Sequence, residues 1–394
     1  MRVLIVTVGS RGDVAPYTGL AARLRAAGHA VTIATHRPFA ALVTGTGAGF
    51  HPLPGDPRTI LDAAALSVRA APGAVRYLTR LGTALVDAAH GVDVLLTGAA
   101  PARLAAHVGA AACVPVLGAY LQPAHPTRAF APPVSRFGAL GGLGNQLSAR
   151  FVDSVLDRFS APAIRAVRRR TGLRGGVGMP PVLYGYSPAV LPRPTDWPES
   201  SRVVGYWWPE TPAGRQPPAS LVEFLAAGPP PVYVGLGSVG DGAAARRFAA
   251  RAVRACRRLG VRIVFSAPPS VDPPTGDDLY RVGDVPHERL FEQVAAVVHH
   301  GGAGTTAAAL RAGTPSIPVP VLADQYLWAR RAVALGVAPG ALHLHRASVL
   351  QVADVVRAAV CADGYRHRAA RLAAVLAAED GAGAVVDAVE RLPH

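Results

Sequence analysis

Val3–Ser10 reads VLIVTVGS, Val232–Ser238 reads VYVGLGS, and the same syntax follows each. In both, a β-branched apolar run ends at Gly-Ser. The first is followed by an Ala/Leu/Arg-rich helical stretch at about residues 15–27, then Gly28, then a second apolar run, Ala30–Thr35. The second is followed by a helical stretch over Ala243–Leu259, then Gly260, then Val261–Ser266. Strand, glycine turn, helix, glycine stop and strand is how a doubly wound α/β domain begins. Two such openings predict two such domains in tandem, and 394 residues suffice for each to bury its own core. Neither copy carries the spaced G-x-G-x-x-G dinucleotide fingerprint, which disfavours a nicotinamide enzyme.

Between the copies, residues 188–231 are dense in proline, which stiffens a connection rather than building a core. The reading is a first domain over 1–208, a linker at 209–219 and a second domain over 220–375. A helical segment at 376–394 is free to pack back on the first domain. Residues 52–76 and 121–150 are rich in Pro, Gly and small side chains, and read as long loops.

Composition excludes several activities. All 40 basic residues counted as Lys+Arg are arginine, so a Walker phosphate loop, a protein kinase and a pyridoxal-phosphate enzyme all lack their lysine. The net charge of +15 permits nucleic-acid or membrane partners. The arginines are scattered, however, and no basic-aromatic module accompanies them, so no nucleic-acid partner is expected. Cys113, Cys256 and Cys361 are too few and too far apart for a disulfide framework. The first apolar run is too short for a secretory leader, and the longest uncharged stretch, Leu104–Thr127, is broken by Pro115, Pro123 and Pro126. A soluble, cytoplasmic protein is expected.

Residues 295–325 hold the densest chemistry. An apolar strand at Val297-Val298 runs into His299-His300-Gly301-Gly302-Ala303-Gly304-Thr305-Thr306, then a helix to about Ala312. Glycines bring backbone amides close to a ligand, a helix N-terminus favours an anion, and the threonines and a strand-tip histidine add donors. This is a diphosphate cradle made without lysine. Adjacent strand residues point to opposite faces and no D-x-D pair occurs, so no metal site is expected.

At these residues the chain resembles a known family. GDVPHERLF at 283–291, AAVVHHGGAGTTAAALRAGTP at 295–315 and ADQYLWARR at 323–331 resemble inverting, nucleotide-sugar-dependent glycosyltransferases of the two-Rossmann-domain GT-B type. Within family 1, the UDP-glycosyltransferase-like enzymes, the chain is most similar to the branch of bacterial antibiotic glycosyltransferases and sterol glucosyltransferases. GSRGDVAPY at 9–17, LQPAHPTRAF at 121–130, YGYSPAVLPRPTDWP at 184–198 and PPPVYVGLGS at 229–238 extend the likeness over nearly the whole chain.

The resemblance implies roles for particular residues. His299 contacts the donor diphosphate, with Gly301, Gly302, Ala303, Gly304, Thr305 and Thr306 completing the cradle and Ser238 nearby. The Val285 backbone meets the base, and Asp324 and Gln325 bind the sugar hydroxyls, a pairing that suits a carboxylate and an amide. Asp324 is equally a helix N-cap by residue preference. Ala267-Pro268-Pro269-Ser270 departs from the Gly/Trp-containing segment common in the family, which leaves UDP against dTDP open.

In the first domain the resemblance makes Asp13 the base that takes the acceptor's proton, with Ser10, Arg11 and Gly12 on the donor phosphate side. Asp13 also suits a helix N-cap, which would lower its pKa. His125, in the proline-rich loop, is the rival base. An apolar acceptor pocket is expected in the first domain near Tyr77, Tyr120, His125, Phe130 and Phe137. The reading is a glycosyltransferase acting on a lipophilic natural product, with a sugar nucleotide as cosubstrate and no other cofactor. A sterol or membrane-lipid glucosyltransferase, a nucleotide-sugar epimerase on the same scaffold and a catalytically silent binding protein are the alternatives.

Overall fold

The computed structural model describes residues 1–392 except 57–70, 137, 211–216, 238–241, 267–275 and 284. Two parallel sheets organise them. In the first, β1 (Arg2–Val6), β2 (Ala30–His36), β3 (Gly49–Leu53), β4 (Val94–Thr97), β5 (Val116–Tyr120), β6 (Val182–Tyr184) and β7 (Ser201–Val203) lie in the order β3-β2-β1-β4-β5-β6-β7. In the second, β8 (Val232–Gly235), β9 (Ile263–Ser266), β10 (Leu279–Val282), β11 (Ala296–His299) and β12 (Ser316–Pro318) lie in the order β10-β9-β8-β11-β12. Strand order thus reverses beside β1 and beside β8, and at each reversal a crevice opens at the carboxyl ends of the strands.

The unbroken apolar run in β1 follows from burial on both faces. Val3 and Ile5 pack with Val14, Tyr17 and Leu20 of the helix Arg11–Ala26, whereas Leu4 and Val6 pack with Leu81, Leu85 and Leu104 on the other side. Register is correspondingly fixed, with Ile5 between Ile33 and Leu96. The glycine stops work as read. Gly28, at φ 88°, lets its own amide reach Arg25 O and the His29 amide reach Leu24 O, closing the last turn of the helix. Gly260 repeats this with Arg257 and Cys256.

The chain ends by crossing between the two sheets. After the helix Asp363–Ala377, the helix Gly381–Glu390 buries Val385, Val386 and Val389 in the core of the first sheet. Trp207 Nε1 donates to Gly381 O at 3.2 Å, and Arg23 meets Asp380 at 2.6 Å. A third core joins the two halves: Tyr120, Tyr184, Tyr186 and Trp197 pack in one cluster with Ala307, Leu310, Leu327 and Trp328. Among the described residues no helix is long and apolar enough to cross a membrane.

Three expectations need correction. The first helix begins at Arg11, not near residue 15, because Ser10 sits at its N-cap position and Asp13 bonds back to it. Residues 121–150 are not loop throughout, since a 31-residue helix, Gly141–Thr171, starts inside them. Its Gly-Gly-Leu-Gly start has low helix propensity, but Asn145 ties it down by accepting from the Leu140 amide and donating to Arg128 O. Likewise the helix Ala71–Ala88 begins within 52–76, the rest of which lies largely outside the described residues, as does most of the expected linker.

Two glycines test this packing. A Cβ at Gly381 would collide with the Gly205 carbonyl group, backbone against backbone, whereas one at Gly73 would meet nothing. Overpacking costs about 1–3 kcal/mol, so Gly381→Ala should melt several degrees lower. Gly73→Ala should gain up to about 1 kcal/mol from helix propensity. Equal melting temperatures for the two variants would refute this account of the C-terminal crossing.

Candidate active site

The crevices of the two sheets face one another. The helix Arg11–Ala26 follows β1, the helix Ala303–Arg311 follows β11, and the two helices are in contact across the cleft. Each brings its N-terminal turn, where backbone amides lack intrahelical acceptors.

The first N-terminus is closed by its own carboxylate. Asp13 Oδ2 accepts from the Ser10 amide at 2.7 Å and from Ser10 Oγ at 2.8 Å, while Thr7 Oγ1 donates to the Asp13 carbonyl at 2.7 Å. Asp13 is therefore a third-position helix residue reaching back to the N-cap, rather than the N-cap itself. Burial pushes its carboxyl above the ordinary range, and the Ser10 bonds only partly oppose this. Capping does not make it a weaker base. Arg11 and Gly12 are exposed on the same turn.

The second N-terminus has no such cap. Gly302 occupies the N-cap position and supplies no side chain, so no side chain caps the amides at the start of the helix Ala303–Arg311. Thr306 Oγ1 is buried beside them with no hydrogen-bond partner among the described residues. Thr305 is half-buried and Gly304 exposed on that turn, and Gly301 takes a left-handed turn at φ 81°.

The two histidines are held differently. His299 is the last residue of β11, and its ring is fully buried. Its Nδ1 accepts from the Gly301 amide at 3.1 Å, which leaves Nε2 as the donor to Ser316 Oγ at 2.5 Å. Burial first, then His300 and His287, push its pKa down to about 3. Both nitrogens are spent on holding the turn. The His300 ring lies between Gly237 and Gly302, where a Cβ on either glycine would crowd it. Its Nδ1 is buried with no partner among the described residues, and burial pushes its pKa down to about 4. Alternation along the strand held the signal, for one of two adjacent histidines must face inward; deciding which required knowing where β11 ends.

Asp324 stands opposite Asp13. It precedes the helix Gln325–Ala334, but its side chain does not cap it; Oδ2 instead accepts from Trp328 Nε1 at 2.7 Å. Burial pushes its carboxyl up to about 6, the Trp328 bond opposes that rise, and the charge of Asp13 adds to it. Gln325 is buried, and its Oε1 accepts from the Val321 and Leu322 amides at 2.8 and 3.0 Å, which shapes the loop. Val285 is half-buried ahead of the helix His287–Phe291, and Ser238 lies outside the described residues.

The residues expected around an acceptor separate into two groups. Tyr120 is core, edge-on to Tyr184. His125 Nδ1 meets Tyr184 OH at 2.5 Å and Ser201 Oγ at 3.4 Å, while Phe130 packs edge-on against Trp197. These three join one aromatic cluster, in which Tyr120 is buried and His125 and Phe130 are half-buried, and burial lowers the His125 pKa. Tyr77 lies apart, near His36 and Gly55, and Phe137 lies outside the described residues. A surface depression of about 480 Å³ bounded by Arg37, Pro54, Arg80 and Asp87 contains none of the cleft residues. Among the described residues no group of three or more His, Cys, Asp or Glu gathers as a metal site.

Comparison with known proteins agrees with this geometry. Residues 3–119 match the glycosyltransferase family 28 N-terminal domain, and residues 273–392 match the erythromycin biosynthesis protein CIII-like C-terminal domain. The chain is 34% identical to O-mycaminosyltylonolide 6-deoxyallosyltransferase of Streptomyces fradiae, over 97% of this chain and 95% of that one. It is 31% identical to a sterol 3-beta-glucosyltransferase of Arabidopsis thaliana, over 100% of this chain and 66% of that one. It spans only 27% and 29% of two longer fungal sterol glucosyltransferases. The fold matches that of the Streptomyces sp. SF2575 glycosyltransferase SsfS6 in complex with thymidine diphosphate, with a TM-score of 0.69, 20% identity and 100% of both chains covered. Two facing switch-point crevices, a glycine cradle after β11 and a relative matched along almost its entire length lead to one conclusion: the chain belongs to the GT-B glycosyltransferases, in the group that holds antibiotic and sterol glycosyltransferases.

Proposed function

We propose that the protein is a cytoplasmic enzyme that transfers a sugar, with inversion, from a thymidine- or uridine-diphosphate donor to a hydroxyl of a lipophilic natural product. The observation that carries this is the uncapped N-terminus after β11, with His300 Nδ1 and Thr306 Oγ1 buried beside it and without partners among the described residues. Buried polar atoms without partners are rare, and at a helix N-terminus they fit a phosphate. In this reading residues 220–375 hold the donor and residues 1–208 the acceptor. Asp13 takes the acceptor's proton as its oxygen attacks the anomeric carbon, and the sugar–phosphate bond breaks on the opposite face. His300, Thr305, Thr306 and the amides of Ala303 and Gly304 receive the negative charge left on the diphosphate. Asp324 accepts from sugar hydroxyls, Gln325 secures the loop before it, Val285 lies at the base, and Ser10, Arg11, Gly12 and Ser238 border the phosphates. No resident metal or organic cofactor is required.

The test is a mass-spectrometric screen of dTDP-glucose, dTDP-rhamnose, UDP-glucose and UDP-N-acetylglucosamine against macrolide, polyketide and sterol acceptors. A sugar-sized mass gain is expected with at least one pair, and Asp13→Asn should lose it while staying folded. Product formation by Asp13→Asn at the wild-type rate would remove Asp13 from the reaction.

The different settings of the two histidines yield a second prediction. His300→Ala should lower kcat/KM about a hundredfold, as loss of one charge-stabilising donor does, with little change in melting. His299→Ala should instead melt early, because it strands the Ser316 hydroxyl and the Gly301 amide, at about 1–3 kcal/mol for each buried group left unpaired. The opposite pattern would return the diphosphate role to His299.

One observation favours a lipid acceptor at a bilayer as a second reading. Leu143, Leu147 and Phe151 are 62%, 63% and 67% exposed along one face of the helix Gly141–Thr171. Exposed Arg136, Arg150 and Arg158 flank them, which suits an anionic lipid surface. Flotation with phosphatidylglycerol vesicles should carry the wild type upward and leave Leu147→Asp/Phe151→Asp behind. Equal flotation of both, or of neither, removes the reading.

A further inference from the structure

The carboxylate that this reading assigns to the donor sugar is held by a group outside the chemistry. Trp328 is one helical turn beyond Asp324, and its indole N–H donates to Asp324 Oδ2 at 2.7 Å. The indole is 1% exposed and packs edge-on against Tyr186 of the first domain, with ring centroids 5.5 Å apart. Tyr186 in turn packs on Tyr184, which carries the His125 bond. Wedged in this way, the indole has no room to swing off the carboxylate.

Two further features hold Asp324 from the other side. Ala323, the residue before it, has φ 52°, in the left-handed region that a non-glycine residue rarely adopts. Gln325, the residue after it, clamps the Val321 and Leu322 amides. Backbone strain of this kind persists only where the surroundings enforce it, and it collects at sites that need a fixed geometry. A purely structural partner for an indole N–H need not be charged; an asparagine or a backbone carbonyl would satisfy it without burying a carboxylate.

We propose that Trp328 is the positioning residue of the sugar site: its N–H fixes one Asp324 oxygen so that the other is presented to the donor sugar. The proposal rests on the reading of Asp324 as the sugar-binding carboxylate. It also predicts a pH effect. Asp324 accepts hydroxyl hydrogens best when ionised, and its pKa of about 6 already includes the opposing effects of the Trp328 N–H and of Asp13, the charged group facing it from the helix Arg11–Ala26. Removing the N–H removes a bond that favours the ionised form, so the pKa rises and activity is lost at a higher pH on the acid side.

The experiment uses Trp328→Phe and, as an isostere lacking only the N–H, benzothienylalanine placed at position 328 by nonsense suppression. Whichever sugar nucleotide the screen identifies is the substrate, and free thymidine and uridine diphosphate are the reference ligands. Both variants should lose at least tenfold in kcat/KM for the sugar nucleotide, bind the free diphosphates within twofold of wild type, and shift the acid limb to higher pH. In an Asp324→Asn background the Trp328→Phe effect should shrink to less than twofold, because the two act as one unit. An isostere with wild-type kinetics and an unmoved acid limb overturns the positioning role, as does full additivity in the double variant. If Asp324→Asn itself leaves sugar-dependent binding unchanged, the reading of Asp324 fails and the inference falls with it. Loss through Asp324→Asn without loss through the isostere overturns the positioning role alone.

Discussion

Two helix N-termini pointing into one cleft set the terms for everything around them. Each ends in amides without acceptors and carries the positive end of a helix dipole, and the two helices touch. Facing partial charges of one sign must be answered. The first terminus answers with a residue of its own, Asp13, folded back onto Ser10. The second offers only glycine at the cap and leaves His300 Nδ1 and Thr306 Oγ1 without partners among the described residues. Under the proposed function the first crevice brings the base and the second takes the diphosphate. That asymmetry between two copies of the same architecture is what turns a duplicated fold into a two-substrate site.

Holding the halves in register takes more than a linker. The aromatic cluster from Tyr120 to Trp328 buries large rings from both sides in one core, and the helix Gly381–Glu390 returns the chain end to the first sheet. The apolar area involved outweighs the individual polar bonds across the same boundary, such as Ser187 to Glu379 at 2.6 Å and Arg331 to Val190 O at 2.7 Å. Those bonds fix orientation instead. The same cluster takes in Tyr120, which is buried, and His125, which is half-buried and bonded to Tyr184.

Burial governs the electrostatics. Asp13 and Asp324 approach from opposite domains, and both carboxyls are raised mainly by loss of water. The two histidines are depressed for the same reason, so both rings are neutral near pH 7 and serve as hydrogen-bonding groups rather than cations. Charge near the two N-termini is therefore carried by the carboxylates, the helix ends and Arg11, not by the histidines.

The sequence by itself determined the tandem α/β architecture, the strand-to-glycine-turn syntax and the place of the cradle. These depend on local periodicity and on backbone preferences such as that of Gly28, which act over a few residues. It also named Asp13 and Asp324, but not their surroundings. Whether Asp13 capped its helix or lay within it hinged on a start at Arg11, four residues ahead of the periodic signal. How His299 and His300 are held hinged on where β11 stops against β12, a matter of pairing with Ser316–Pro318. The grip of Trp328 on Asp324 needed the first domain's Tyr186 behind it. Side-chain direction at the end of a strand, and burial between two domains, are set by groups distant in sequence, and only the tertiary structure brings those groups together.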